Sequence, residues 1–341
     1  MRAAVIQNHG SIEDIIFESD WPTPQPDPGQ VLLKVEASAL NYHDLFTLKG
    51  MPGIRIGFPL IMGIDCAGTI AALGEGVSGW DVGQRVVIHP IITGDRPGLI
   101  GETTNGGLAE FMVVNADQLV AIPDSMSFAE ASALPCAYGT AYRMMVRRAN
   151  VSAGEKVLIL GASGGVGTCC VQLAKAAGAE VIATASSDEK LQRLADLGAD
   201  HLINYAEDDF RKVVTERFGK PRVTGGGGVD LVVNFTGGDT WVPALRCLTK
   251  GGRMVTCGAT AGFDPKTDIR FIWTFELNIM GSNGWSIEDV RDLIGMVERG
   301  ELAALVDSTL PLERTQDAFR KLEERKVFGK VVVSPTASAT P

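Results

Sequence analysis

The chain reads as an α/β protein built on a doubly wound parallel sheet, with a second, β-rich part contributed by its two ends. Three observations predict this. The apolar run Val157-Leu158-Ile159-Leu160 stops at the turn Gly161-Ala162-Ser163-Gly164-Gly165-Val166-Gly167, and a helical pattern follows at once. Further short apolar strands come after it, most of them separated by helical patterns, as crossovers of a parallel sheet require. Before it, residues 1 to about 125 show an all-β pattern of short strands punctuated by turn signals.

Taken in order, the N-terminal part predicts strands at Val31–Ala37, Arg85–His89, Phe111–Val114 and Leu119–Ile122, with turns at Pro28-Gly29 and Gly74-Glu75-Gly76. After the glycine turn, Val166, Cys169, Cys170, Leu173, Ala174 and Ala177 recur at the spacing of one helix face. Val181–Ala185 is a second strand and a helix runs from Asp188 to Leu197. Strands follow at His201–Asn204, Val229–Asn234, Arg253–Cys257 and Leu277–Gly281, and Gly225–Gly228 reads as a turn before the fourth strand. The tail predicts a helix from Ser286 to Gly300, a strand at Val306–Leu310, a helix from Leu312 to Glu324, a strand at Lys330–Val333 and a loose end beyond it. The implied domains are 126–282 for the parallel sheet, and 1–125 with 283–341 for the β-rich part.

Strand, glycine turn and helix together make a pyrophosphate site. Small residues let the backbone approach a ligand, and a helix N-terminus supplies N–H groups and the positive end of a dipole. Ser163, Gly164, Gly165 and Val166 are the residues so placed; Ala162 stands where the first glycine of G-x-G-x-x-G would fall. The end of the second strand chooses the cofactor. NAD-binding folds carry Asp or Glu there, paired to the ribose 2′-hydroxyl. Here the position is Ala185, followed by Ser186, Ser187 and Lys190, which suit a 2′-phosphate and therefore NADPH. Ser186 has a competing use as a helix N-cap, since Ser186-x-x-Glu189 has the form of a capping box.

The chain of 341 residues is long enough for two domains, and its net charge of −10 argues against a nucleic-acid partner. No apolar run approaches 18 residues, so no membrane span is expected. Met1-Arg2-Ala3-Ala4-Val5-Ile6 leads into a strand and does not read as a signal peptide. Six cysteines without a C-x-x-C pair read as reduced thiols in a cytoplasmic protein.

At this point the chain resembles the medium-chain dehydrogenase/reductase superfamily over nearly its whole length. The segments that carry the resemblance are Gly63-Ile64-Asp65-Cys66-Ala67-Gly68, Gly74-Glu75-Gly76-Val77, Gly83-Gln84-Arg85-Val86, Gly106-Gly107-Leu108-Ala109-Glu110-Phe111 and the glycine turn, with Leu197-Gly198-Ala199-Asp200 and Ile203-Asn204-Tyr205. Within the superfamily it looks most like the quinone-oxidoreductase branch and nearby reductases often named as zinc-binding alcohol dehydrogenases. The resemblance implies a GroES-like β domain and a Rossmann domain with the site between them. The mostly apolar strand Leu277–Met280 is expected at the sheet edge, where it invites pairing into a symmetric homodimer, and the resemblance points the same way. Zinc-dependent members place Cys, His and Cys around a catalytic metal, and the corresponding positions here are Asn41, Ile64 and Cys136. That set cannot form a three-ligand zinc site, and Ile91 to Gly106 contains no cysteine for a structural one, so no metal is expected.

Without a Lewis acid, reduction of an activated double bond asks less of a protein than alcohol oxidation, because hydrogen-bond donors suffice for a developing enolate. The expected function is therefore NADPH-dependent reduction of quinones or α,β-unsaturated carbonyls. The alternatives are a zinc-free carbonyl reductase or alcohol dehydrogenase, and a non-catalytic NADPH-binding protein on the same fold. Candidate donors are Asn41, Tyr42 and His43, with His43 where relatives carry the hydroxyl of a proton relay. Asp44 reads as a structural acceptor and Cys136 as a wall residue. Strand ends add candidate cofactor contacts at Asn234, at Gly258, Ala259 and Thr260, and at Ser282 and Asn283. By resemblance, Thr140 would contact the nicotinamide and Tyr205 would stack near the 2′-phosphate.

Overall fold

The computed structural model describes residues 1–51, 54–94 and 97–337. The last four residues of the tail expected to be loose lie outside the described residues. The chain divides into two compact units, Met1–Gly139 with Ser286–Pro341, and Thr140–Trp285.

The second unit is a six-stranded parallel sheet. Its order is His201–Asn204, Glu180–Ala185, Lys156–Ile159, Val229–Val233, Leu248–Thr256 and Asn278–Gly281. The first strand in sequence is central and the order reverses beside it, the topology of a dinucleotide-binding Rossmann sheet. The strands are apolar because both faces are covered: Leu158, Ile182, Ile203, Val232 and Met254 sit in one core with Val214, Ala244 and Leu248. The fifth strand begins at Leu248, five residues earlier than the sequence predicts, and its register shifts between Val229 and Leu231 of its neighbour.

The first unit is β-rich. Its largest sheet runs Leu119–Ala121, Arg85–Ile88, Asp65–Leu73, Gln30–Ala39, Lys330–Ser334 and Val306–Pro311, with Phe111–Asn115 also paired to Gln30–Ala39. The pairs Val332 with Ala39 and Val333 with Ser38 join the tail to the N-terminal strands. The strand Asp65–Leu73 has no counterpart in the sequence expectation. Its small residues hide it: Gly68 reads as a turn signal, yet a Cβ there would lie 2.0 Å from the Lys34 carbonyl oxygen of the neighbouring strand. The helix Phe128–Ala133 packs on Gln30–Ala39 and Asp65–Leu73, and the buried Tyr138 hydroxyl donates to Ala303 O at 3.0 Å and accepts from Leu305 N at 2.9 Å. These contacts tie residues 128–139 to the first unit, so the units divide later than residue 125. Among the described residues, no helix is long and apolar enough to cross a membrane, and none of the six cysteines is in a disulfide.

Candidate active site

In the Thr140–Trp285 unit the glycine turn is fixed by its neighbours. Gly161 takes φ +68°, and its N–H donates to Thr184 Oγ1 at 3.2 Å, while Ala162 N–H donates to Thr184 O at 2.9 Å. The left-handed residue is therefore Gly161, and Ala162 needs no glycine. Gly167 allows the helix Gly165–Ala176 to lie on the turn, since a Cβ there would stand 2.4 Å from Gly161 O. Gly164, the N-cap, is different: a Cβ there would meet nothing closer than 3.9 Å, so the space beside it is open. Ser163, Gly164, Gly165 and Val166 are all half-buried, and the first-turn N–H groups have no intrahelical acceptor. This arrangement fits a pyrophosphate.

At the end of Glu180–Ala185 the cap is not Ser186. Ser187 caps the helix Asp188–Asp196, accepting from Lys190 N at 3.4 Å, which corrects the capping-box expectation by one residue. Ser186 is left exposed at the strand end. Tyr205 N donates to Ala185 O at 3.0 Å, which carries Tyr205, 43% exposed, to the same strand end. Asp188 accepts from Asn204 Nδ2 at 3.1 Å, so its carboxylate is held by Asn204. Lys190 lies in the first helical turn beyond.

The neighbouring strand ends converge as backbone. Asn234 is fully buried, and its Oδ1 accepts from Thr236 N and Gly237 N at 3.0 Å each and from Thr240 Oγ1 at 3.3 Å. It shapes the turn. The loop after the next strand joins this one through Thr260 N to Phe235 O at 3.3 Å and Ala261 N to Thr236 O at 2.8 Å. Gly258 and Thr260 are exposed, Ala259 and Thr140 half-buried, and Asn283 exposed. Asn234 Nδ2 and Ser282 Oγ are buried atoms with no hydrogen-bond partner among the described residues. Unused polar capacity at strand ends fits a polar ligand.

In the first unit the candidate donors stand on a buried polar cluster. Asn41 precedes the helix Tyr42–Lys49, and its N–H donates to Asp44 Oδ2 at 2.7 Å. Asp44 Oδ1 accepts from Gly63 N at 3.3 Å, so Asp44 is a structural acceptor, as its position suggested. The Asn41 amide is fully engaged. Nδ2 donates to Asp65 Oδ2 at 2.9 Å and to Ala39 O at 3.2 Å, and Oδ1 accepts from Lys330 Nζ. Lys330 also lies 3.5 Å from Asp65, and Asp65 Oδ1 accepts from Cys136 N at 3.0 Å. Asn41 thus differs from the free donor expected of it: its N–H groups point at protein acceptors. Burial raises Asp44, and burial with the nearby Asp44 charge pushes Asp65 up to about 6, against the opposing pull of Lys330, Asn41 and Cys136 N.

His43 is partnered too. Its Nε2 meets Glu102 Oε2 at 2.5 Å, with the Glu102 side chain 9% exposed. Burial disfavours the imidazolium, but the hydrogen bond and charge of Glu102, with the charge of Asp44, raise His43 above its ordinary value. The helix N-terminus opposes a cation by about 0.3–1 kcal/mol, while a hydrogen bond to a charged group is worth about 1.5–3 kcal/mol. Glu102 wins, and the net shift of His43 is upward. Tyr42 is half-buried against the core that includes Leu45, Leu48 and Phe319.

Comparison with known proteins agrees with this architecture. Two family models match, described as "Alcohol dehydrogenase GroES-like domain" over residues 27–124 and "Zinc-binding dehydrogenase" over residues 165–299. A zinc-type alcohol dehydrogenase-like protein of Schizosaccharomyces pombe is 33% identical over 347 residues, covering 96% of this chain and 98% of its own. The chain belongs to the medium-chain dehydrogenase/reductase superfamily. A crotonyl-CoA reductase of Streptomyces avermitilis is 30% identical, covering 94% of this chain and 82% of its own. The quinone oxidoreductase of Mus musculus is 29% identical and covers 94% of each. Among solved structures, an NAD-dependent alcohol dehydrogenase superposes with a TM-score of 0.91 at 35% identity, over 98% of this chain and 99% of its own. A 2-octenoyl-CoA carboxylase reductase in complex with NADP and 2-octenoyl-CoA gives 0.87 at 28% identity, over 99% and 88%.

Within this superfamily the chain is an oxidoreductase, and its catalytic-zinc positions can be tested against its own atoms. They do not fit the metal. Ile64 has no donor atom, the Asn41 amide is bonded to Lys330 and Asp65, and an ammonium stands beside the Cys136 segment's carboxylate partner. Two of the residues now central, Lys330 and Glu102, were missed by sequence reasoning. Lys330 opens a strand already predicted, and Glu102 sits in a segment read only for missing cysteines. A charged residue inside an otherwise buried apolar strand, as in Lys330-Val331-Val332-Val333, was the signal available for the first.

Proposed function

We propose that this protein is a zinc-free, NADPH-dependent reductase of quinones or α,β-unsaturated carbonyls. The observation that carries the reading is the replacement of the zinc ligand set by the Asn41–Asp65–Lys330 cluster, which leaves proton donors and not a Lewis acid to stabilise the product anion. Relatives named crotonyl-CoA reductase and quinone oxidoreductase support it. Ser163, Gly164, Gly165 and Val166 would hold the pyrophosphate, Ser186, Lys190 and Tyr205 the 2′-phosphate. Thr140 and the turns at Asn234, Gly258–Thr260 and Ser282–Asn283 would hold the nicotinamide half. When bound, the reduced nicotinamide supplies a hydride to the electron-poor carbon. His43 would give the proton from Nδ1 while its Nε2–H stays on Glu102, with Tyr42 as a second donor, and Asn41 would position them through the helix it precedes. Non-catalytic NADPH binding remains an outcome of the test below.

The test is a panel of quinones, enones, crotonyl and acrylyl thioesters, aldehydes and alcohols, with nicotinamide absorbance followed for NADPH and NADH. Turnover of the first three classes with NADPH is expected, retained in chelator and without stoichiometric zinc. Turnover of alcohols alone favours the dehydrogenase reading suggested by the 35% identical NAD-dependent alcohol dehydrogenase; cofactor binding with no turnover overturns catalysis. We also propose a cytoplasmic homodimer paired along the edge strand Asn278–Gly281. Sedimentation at micromolar concentration should give a dimer, and a monomer would refute it.

A further inference from the structure

The sequence offered no role for the segment between Ile91 and Gly106 beyond its lack of cysteines. In the structure this segment does something specific. Its turn is pressed onto the end of the chain that leads into Asp65–Leu73: Gly101 takes φ +76°, and a Cβ there would stand 2.9 Å from the Gly63 carbonyl carbon. Gly106 N donates to Ile61 O at 2.7 Å and Gly107 N to Gly63 O at 2.9 Å, so the chain leaving the turn is bonded to the same stretch. Gly63 N in turn donates to Asp44, in the first turn of the helix that carries His43. These contacts therefore fix the Glu102 turn and the His43 helix to one backbone position. The Glu102 carboxylate is almost fully buried and reaches His43 Nε2 at 2.5 Å, while the imidazole remains 30% exposed.

We propose that Glu102 is a positioning residue, which orients the His43 ring through Nε2 and keeps Nδ1–H available as the proton donor to the reduced substrate. This rests on the reductase reading above. In the balanced step, the substrate anion left by hydride addition takes the proton from Nδ1. The imidazolium becomes a neutral imidazole protonated on Nε2, still bonded to Glu102, and Nδ1 is reprotonated from water. The charged groups facing the ring are Glu102 from the turn and Asp44 from its own helix, and both favour the imidazolium.

The experiment is a titration of labelled histidines by NMR in the full-length protein without cofactor, comparing wild type with Glu102→Gln. Four histidines are present, and the His43 resonance is identified by its loss in His43→Gln. Glu102→Gln should move the His43 midpoint down by about one pH unit or more. The same variant should lower kcat at pH 7.5 by roughly tenfold on an enone and recover toward wild type as the pH falls, since one unit is a tenfold change in the protonated fraction. A purely structural Glu102 would give a loss that acid does not rescue. An unmoved midpoint overturns the proposal while enone turnover leaves the reductase reading standing. A moved midpoint with an unmoved pH profile overturns the donor role alone. A moved midpoint in a protein that reduces no acceptor overturns the reductase reading, and the donor role with it.

Discussion

In the Thr140–Trp285 unit most candidate cofactor contacts, Lys190 and Tyr205 apart, come from backbone and short side chains within runs of a few residues: Gly161 to Gly167, Ala185 to Lys190, Asn234 to Gly238. In the other unit the candidate groups Asn41 and His43 and their polar partners are side chains from positions 41, 43, 44, 65, 102 and 330, assembled over separations as long as 289 residues. The first kind of site is made mostly of backbone N–H groups and hydroxyls, which do not titrate near neutrality; its geometry follows from where glycine is obligatory. The second is made of carboxylates, an ammonium and an imidazole, and burial and neighbouring charge shift Asp44, Asp65 and His43 upward. One should respond to changes of shape and hardly to pH, the other to both.

The sharpest way to break this contrast is Lys330→Met. Removing one partner of a buried ion pair leaves uncompensated charge and costs about 3–5 kcal/mol, here on Asp65 and on Asp44 in the first turn of the Tyr42–Lys49 helix. The sign with pH follows from Asp65. Its folded pKa is raised to about 6, so its contribution to stability is full below its unfolded value, near 3.8, and is lost as the pH rises through about 6. Without Lys330 that loss deepens and its upper limit moves higher. The variant should be most destabilised at pH 7–8 and approach wild type near pH 4–5, read from denaturant midpoints across pH. A destabilisation that is flat with pH would show that Lys330 acts by packing its stem and not by its charge. Asp65→Asn in the Lys330→Met background should restore part of the stability at neutral pH.

The complementary change is Gly167→Ala. A methyl group there meets the carbonyl oxygen of Gly161 at 2.4 Å and Ala162 Cα at 2.6 Å, both backbone, so the helix must lift from the turn. Overpacking of this kind costs about 1–3 kcal/mol. NADPH and NADH affinities should fall together, by an amount that does not vary between pH 5 and 8. Gly164→Ala, where the space is open, should cost little stability and act mainly on cofactor affinity. Equal stability losses at the two positions would show that the turn is not the close-packed element described.

The same contrast explains what could be read from the sequence. The strand–turn–helix from Val157 onward, the six strands of the parallel sheet and the role of Asp44 were legible, because periodicity, glycine and helix caps are local signals. The strand Asp65–Leu73 was not, because Gly68 answers to the carbonyl of Lys34, a neighbour in space that no local pattern shows. The partners of Asn41 were not legible, since its amide N–H groups donate to Ala39 and Asp65 and its amide oxygen accepts from Lys330, all set by the fold. Glu102 was missed because its partner lies 59 residues away. Long-range polar clusters depend on register between strands, and register is a tertiary property.

The smallest effect tests the finest local detail, the one-residue shift of the cap at the end of Glu180–Ala185. Ser187 holds the helix end, and Ser186 is exposed beside Tyr205. The two serines should therefore separate stability from cofactor choice. Ser187→Ala removes the bond accepted from Lys190 N and should lower stability by about 1 kcal/mol, the usual cost of losing such a cap, with the NADPH-to-NADH preference unchanged. Ser186→Ala should leave the denaturant midpoint alone and weaken NADPH selectively by about 0.5–1.5 kcal/mol, the net worth of a single hydrogen bond. Lys190→Ala should act in the same direction and slightly more, about 1–2 kcal/mol, because its contact to a phosphate would be charge-assisted. Affinities by fluorescence titration with both nucleotides decide it. If Ser186→Ala weakens NADPH and NADH equally, the strand end holds the ribose without reading the 2′-phosphate. A wild-type preference for NADH would overturn the NADPH assignment itself, because the absence of an acid at Ala185 would then have no bearing on the ligand.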